Sequence, residues 1–168
     1  MGKTDNLFSR EAIEKIKKIC DDTRTTMFCS NLGARPFSST PMATQKVEED
    51  GTIWFFSGKD SDRNADLKRE PEAQLIWSSE SNEEYLSLYG RAEVVFDQQK
   101  AEEIWSPEVK VWFQEGPTDP NLSLIRFTPQ DGYYWDTQHG KVVAFAKMAA
   151  SYVTGETMDD GVQGRIKP

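Results

Sequence analysis

Ser57, Lys59, Ser61 and Arg63 place two hydroxyls and two cations within a single short loop, directly ahead of a segment (64–69) that has the composition of a helix. Hydroxyl, ammonium and guanidinium donors beside the free N–H groups of a helix N-terminus are the groups that hold a phosphate dianion. Asp60 and Asp62 are interleaved with them, and the same residues also fit a helix capped by Asp60 or Ser61 whose cations are solvated. Local chemistry leaves both readings standing. Elsewhere the chain offers little for nucleophilic or metal chemistry. Its one histidine, His139, sits in the turn-like segment 136–140, so a His-rich metal site is excluded, and a Ser-His-Asp arrangement would have to use that loop. Cys20 and Cys29 lie nine positions apart, without metal-type spacing, and read as reduced, partly buried thiols. No side chain demands the role of general acid or base, and no metal is expected.

The loop must be positioned by what precedes it. Ile53, Trp54, Phe55 and Phe56 form an apolar run bounded by Asp50-Gly51 and Ser57-Gly58, the pattern of a strand covered on both faces. Asp-Gly is a favoured hairpin turn because glycine tolerates positive φ, so residues 40–47 are expected to pair with this strand as a hairpin that empties into the anion loop. Before it, residues 9–22 read as an N-terminal helix with Ser9 as its cap and Ile13, Ile16 and Ile19-Cys20 near one face, and 25–32 has strand composition. After it, 62–70 reads as a short helix stopped by Pro71, 72–79 as a strand, and 85–96 as a longer alternating strand with Gly90 as a candidate bulge. Residues 98–105 and 107–113 read as short helices, 116–120 as an extended turn, 121–135 as a strand pair or one bent strand, 142–152 as a last amphipathic helix, and 157–168 as a loose tail.

About six strands without regular βαβ alternation make the chain mainly β, a small antiparallel barrel with flanking helices. The organisation expected is an N-terminal helix (1–22) packed on a barrel domain (23–155), followed by a C-terminal tail (156–168). A length of 168 residues suits one domain with a real core. The mean hydropathy of -0.67 and the absence of a long apolar run exclude a helical membrane span, and residues 1–10 do not resemble a signal peptide, so a cytoplasmic protein is expected. A net charge of -8 repels a polyanion and argues against nucleic acid as a partner; a phosphate would need a local cluster of cations. Five tryptophans exceed what a core of this size requires, which points to some of them at an interface or against a planar ligand.

Several segments together resemble the FMN-binding split-barrel proteins related to pyridoxamine 5′-phosphate oxidase, within them the bacterial general stress protein branch. They are Pro41-Met42-Ala43-Thr44-Gln45, residues 50–57, the Ser61-x-Arg63 loop, residues 85–90, Trp105-x-Pro107-x-x-Lys110-x-Trp112-Phe113, residues 116–120 and Tyr134-Trp135-Asp136. The resemblance implies a six-stranded split β-barrel that forms a homodimer with one FMN, or FAD, in each of two interfacial clefts. It further implies that Met42, Ala43 and Thr44 run along the flavin, that Phe56 and Ser57 contact it, and that Ser61 and Arg63, with Lys59 nearby, bind its phosphate. Tyr85 would reach the ring from the opposite subunit, and Trp112 and Phe113 would cover it. Relatives usually carry Arg immediately before the Pro-Met pair, whereas this chain has Thr40, so FMN affinity is expected to be lower unless Lys59 or Arg35 compensates. The function implied is that of a flavin-binding stress protein, either an FMN-dependent oxidoreductase with a small-molecule electron donor or acceptor, or a non-enzymatic flavin carrier or cofactor-free dimer. Pyridoxamine-phosphate oxidation itself is disfavoured, because Arg126, Lys141, Lys147, Arg165 and Lys167 form no cluster for a substrate phosphate.

Overall fold

The structure, a computed structural model, describes residues 2–137 and 161–168. The elements in chain order are β1 (Lys3–Thr4), β2 (Leu7–Phe8), α1 (Ser9–Asp22), β3 (Thr25–Ser30), β4 (Ser38–Ala43), β5 (Lys46–Val47), β6 (Ile53–Gly58), α2 (Asp62–Arg69), β7 (Glu72–Ser79), β8 (Glu84–Val95), α3 (Gln98–Glu103), 3-10 turns at Pro107–Val111 and Gly116–Thr118, β9 (Leu122–Thr137) and β10 (Gly161–Lys167). His139 and the expected helix at 142–152 lie outside the described residues, as do Lys141 and Lys147.

The fold is a split β-barrel. Six strands follow the order β4-β3-β7-β8-β9-β6, every neighbouring pair antiparallel. The two ends of that path, β4 and β6, approach each other without pairing, and the gap between them is the split. Strand β9 makes this possible by its length. Along one edge residues 124–135 pair with β8, while the other edge is shared, residues 122–127 pairing with β6 and 132–137 with β10. The register between β8 and β9 shifts at Tyr89/Gly90, which confirms the bulge. A Cβ at Gly90 would sit 2.2 Å from the Thr128 carbonyl oxygen, so only glycine lets the two backbones come this close.

Strand β6 is the element that divides the core. Ile53 and Phe55 point into the barrel, where they join Phe28, Leu75, Trp77, Leu88 and Phe127. Trp54 and Phe56 point the other way, into a second cluster with Ala101, Ile104, Val109, Phe113, Leu122 and Leu124. Period-two alternation thus buries both faces, as the unbroken apolar run requires. Helix α1 adds Ala12, Ile16, Ile19 and Cys20 to the barrel cluster, an i, i+4, i+7, i+8 stripe along one helical face. Its polar side is tied to the sheet by Lys15 with Asp136 at 2.6 Å and by Lys18 with the buried Glu84. Among the described residues no helix is long and apolar enough to cross a membrane.

Three expectations are corrected. The hairpin of 40–47 with 53–57 is much shorter than its sequence suggests, because Ser38–Ala43 pairs with β3 and only Lys46–Val47 pairs with β6. The chain changes partner at residues 44 and 45: Thr44 N–H donates to the Arg24 carbonyl and Gln45 N–H to the Trp54 carbonyl. The Asp50-Gly51 turn survives, with Gly51 at φ +89. Ser9 does not cap α1, since Phe8 occupies the cap position and Ser9 has φ 50. The tail from 161 onward is strand β10 rather than loose. It is antiparallel to β9 and parallel to β1 and β2, with Ile166 fully buried, because the far half of β9 would otherwise be an unpaired edge.

Candidate functional site

The split between β4 and β6 opens into a cleft of about 390 Å³, within the range of small-molecule sites. Strand β4 contributes Thr40, Pro41, Met42 and Ala43 to its lining, the end of β6 contributes Phe56, Ser57 and Gly58, and α2 contributes Arg63. Val109, Trp112 and Phe113 close it from the 3-10 segment, with Gln45 and Asn121 at its margins. Phe113 is held in the second core, its ring centroid 6.4 Å from that of Phe56, whereas Trp112 is 71% exposed. A fixed aromatic and a free one therefore stand side by side over the cleft.

The cationic end is built on Ser57. Its hydroxyl accepts a 2.9 Å hydrogen bond from Arg63 Nη2, donates to Asn64 Oδ1 at 2.8 Å and lies 3.2 Å from Ser61 Oγ. Asn64 Nδ2 donates to Ser123 Oγ at 2.8 Å and to the Lys59 carbonyl at 3.2 Å, and Ser123 Oγ donates back to the Ser57 carbonyl at 2.9 Å. Ser61 is the N-cap of α2, its Oγ accepting from Asn64 N–H. The helix-cap reading of the loop is thus correct for Ser61. It does not account for Arg63, which pairs with no carboxylate among the described residues and whose buried Nε has no partner. Burial lowers the pKa of its guanidinium below the ordinary arginine value. A half-buried cation with unmet hydrogen-bonding capacity, facing a cleft, has the donors that an anion would need.

Of the residues expected from sequence, the cleft brings together Thr40, Met42, Ala43, Phe56, Ser57, Arg63, Trp112 and Phe113. Ser61 stands one hydrogen-bond distance behind Ser57. Thr44 is not in the lining: it is buried and accepts the Trp77 indole N–H at 3.3 Å, so its side chain serves the barrel core. Lys59 is exposed on the loop outside the cleft, its N–H donating to the Asn121 carbonyl at 2.8 Å. Tyr85 lies on β8 on the outer face of the sheet, away from this chain's own cleft. Sequence reasoning missed Gln45, Val109 and Asn121 in the lining, and Asn64 and Ser123 behind it. The one signal for Asn64 was its place at the third helical position after a serine cap, where its side chain can turn back toward the loop.

Among the described residues Arg63 is the single ionisable side chain in the cleft lining, and a guanidinium does not exchange its proton near neutrality. The arrangement has the shape and charge for a flat, anionic ligand, and its lining among the described residues offers no side chain for proton transfer. Cys20 and Cys29 are buried and unbridged, and burial pushes the Cys20 thiol pKa up, which makes it unreactive. Among the described residues no group of His, Cys, Asp or Glu could hold a metal ion.

Comparison with known proteins gives one family. The family model described as pyridoxamine 5′-phosphate oxidase like matches residues 11–159. Protein bli-3 of Neurospora crassa is 24% identical over 124 residues, which are 68% of this chain and 59% of that protein, so the chain spans less than two thirds of that curated relative. Among solved structures, a protein of Jannaschia sp. CCS1 assigned as general stress protein 26 superimposes with a TM-score of 0.78 at 28% identity, covering 94% of this chain and 98% of its own. The general stress FMN/FAD binding protein of Xanthomonas citri gives 0.66 at 29% identity, with 76% and 90% covered. General stress protein 26 of Bacillus anthracis gives 0.63 at 25% identity, with 73% and 92% covered.

Proposed function

This chain belongs to the pyridoxamine 5′-phosphate oxidase like family, and on that premise we propose that the cleft between β4 and β6 binds a flavin nucleotide. Its phosphate lies on Arg63 and Ser61, and its ring system runs along Met42 and Ala43 beneath Trp112 and Phe113. The observation that carries this is Arg63, a half-buried guanidinium that pairs with no carboxylate among the described residues and whose buried Nε has no partner, in the lining of a cleft formed by β4, the end of β6, Trp112 and Phe113. A flavin bound there supplies electron transfer. The protein binds the phosphate, orients the ring and excludes water with the second core. On that reading the protein is a cytoplasmic flavin-dependent oxidoreductase with a small-molecule electron donor or acceptor. The one lining cation among the described residues, with Thr40 uncharged in the same lining, favours a second reading in which the site holds flavin weakly and acts as a carrier. Thermal unfolding with added FMN and FAD tests the binding common to both. A ligand at about a hundred times its dissociation constant stabilises the fold by about 2.7 kcal/mol, a rise in Tm of several degrees. A Tm unmoved by either flavin at millimolar concentration contradicts both readings.

The site is proposed to be completed by a second copy of the chain. Met27 faces Ile76 across β3 and β7, and Tyr85 faces Trp135 across β8 and β9, all four on the outer face of the sheet and all exposed. Pro41, which lines the cleft, faces Met27 from β4, so this apolar face runs up to the cleft mouth. An equivalent face on a second protomer would cover both and bring its Tyr85 toward the ring. Sedimentation equilibrium is expected to return twice the monomer mass of 19.1 kDa. A monomer at micromolar concentration would leave the cleft open and count against this arrangement.

A further inference from the structure

We propose that Asp66 sets the width of the split: its buried carboxylate, on α2, ties the wall that carries Arg63 to the wall formed by β4. It touches no ligand and acts by position. Its part in binding rests on the flavin reading above; the tie itself does not.

A split needs such a tie because the sheet does not provide one. Among the described residues no ladder joins β4 to β6, so strand pairing does not fix how far apart they stand. At the end of β4 the chain itself closes the gap, with Thr44 N–H bonded to the Arg24 carbonyl on one side and Gln45 N–H to the Trp54 carbonyl on the other. The start of β4, at Ser38, lies about 17 Å back along the strand, beyond the reach of those bonds. There the facing element is α2.

Asp66 closes that second end. Its Oδ2 accepts a 3.1 Å hydrogen bond from Oγ of Ser30, the last residue of β3. Ser38, which faces Ser30 across the β3–β4 register, lies within hydrogen-bonding range of the same carboxylate. Its Oδ1 accepts from Arg69 Nη2 on its own helix. Asp66 is 5% exposed and Ser30 1%. Burial works to raise the pKa of the carboxyl, but the bonds from Ser38, Arg69 and Ser30 outweigh it and hold the group below the ordinary aspartate value, so it is charged at neutrality. A buried carboxylate is a poor way to add stability, because apolar packing of like volume does as well; what its bonds supply is one fixed geometry. That geometry belongs to the cleft. Asp66 follows Arg63 by about one helical turn, and Ser38 precedes Thr40 by two positions on β4, so the tie sits beside a lining residue on each wall.

Hydrogen exchange of the ligand-free chain, read strand by strand by mass spectrometry, separates a tie from a residue that only stabilises the core, and FMN titration reads its effect on the site. In Asp66→Ala, β4 is expected to exchange about tenfold faster or more while β7 and β8 keep their protection, and FMN to bind about tenfold more weakly. Asp66→Asn keeps an acceptor oxygen for the serine hydroxyls and should restore most of both. Ser38→Ala, which removes only the strand's own hydroxyl, should give a smaller change of the same pattern in a chain that folds normally. Unchanged protection of β4, an equal rise in all strands, or an unchanged FMN affinity beside an opened β4 would overturn the inference and leave the flavin reading standing. A wild-type chain that binds neither FMN nor FAD would overturn that reading, and with it the part of Asp66 in binding.

Discussion

Replacing Arg63 with methionine is expected to weaken flavin binding by tenfold to a hundredfold while leaving the ligand-free protein at least as stable as before. The loss follows from the charge-assisted contact that the guanidinium would make with phosphate, about 1.5–3 kcal/mol for a hydrogen bond to a charged group. The unchanged or higher stability follows from its state without ligand. Its Nε is buried with no partner, no carboxylate among the described residues neutralises it, and the bond it gives Ser57 leaves that hydroxyl still bonded to Asn64. Methionine matches the length of the side chain and carries no charge to desolvate. Flavin titration together with urea unfolding of the ligand-free protein checks both halves. A residue held for structure would give the opposite signature, a fall in stability with little change in affinity.

Asn64→Leu should produce the larger effect on folding. Asn64 is 1% exposed and is the junction of the network, bonded through its side chain to Ser57, Ser123 and the Lys59 carbonyl. Leucine fits the volume, but it strips partners from two buried hydroxyls and one carbonyl at once. Each unsatisfied buried group costs about 1–3 kcal/mol, and Ser123 keeps its bond to the Ser57 carbonyl, so a loss of about 2–4 kcal/mol is expected. For a chain of this size that is a fall in Tm of roughly 5–15 °C. Ser123→Ala, which removes one hydroxyl and leaves Asn64 its other bonds, should cost less than half as much. Equal losses from the two substitutions would show that the network does not centre on Asn64.

The difference between Arg63 and Asn64 also shows what a sequence can and cannot disclose. Arg63 could be singled out because its chemistry is local: cations and hydroxyls stand together in a loop that follows an apolar strand and precedes a helix, although the same positions also fit a helix cap. The strands at 72–79 and 84–95 were legible for a related reason, since their burial alternates residue by residue. Asn64 and Ser123 look like ordinary surface residues, and only a contact across 59 positions buries them together. Thr44 shows the same limit in reverse. Its neighbours Met42 and Ala43 line the cleft, so it was expected there, but the change of partner strand at residue 44 turns its hydroxyl to Trp77. Strand β10 was invisible because a short polar segment becomes a strand only when β9 offers an open edge. The resemblance to split-barrel flavoproteins supplied the fold at once, and the residue-level geometry then separated the lining from its supports.

The account's central claim is that the cleft between β4 and β6 is a flavin site. The direct measurement is the visible absorption spectrum of the purified chain after incubation with excess FMN or FAD and removal of free dye. A retained flavin band near one equivalent per chain for at least one of the two, lost in Arg63→Met, is the result predicted. A protein that emerges colourless from both incubations would contradict the claim.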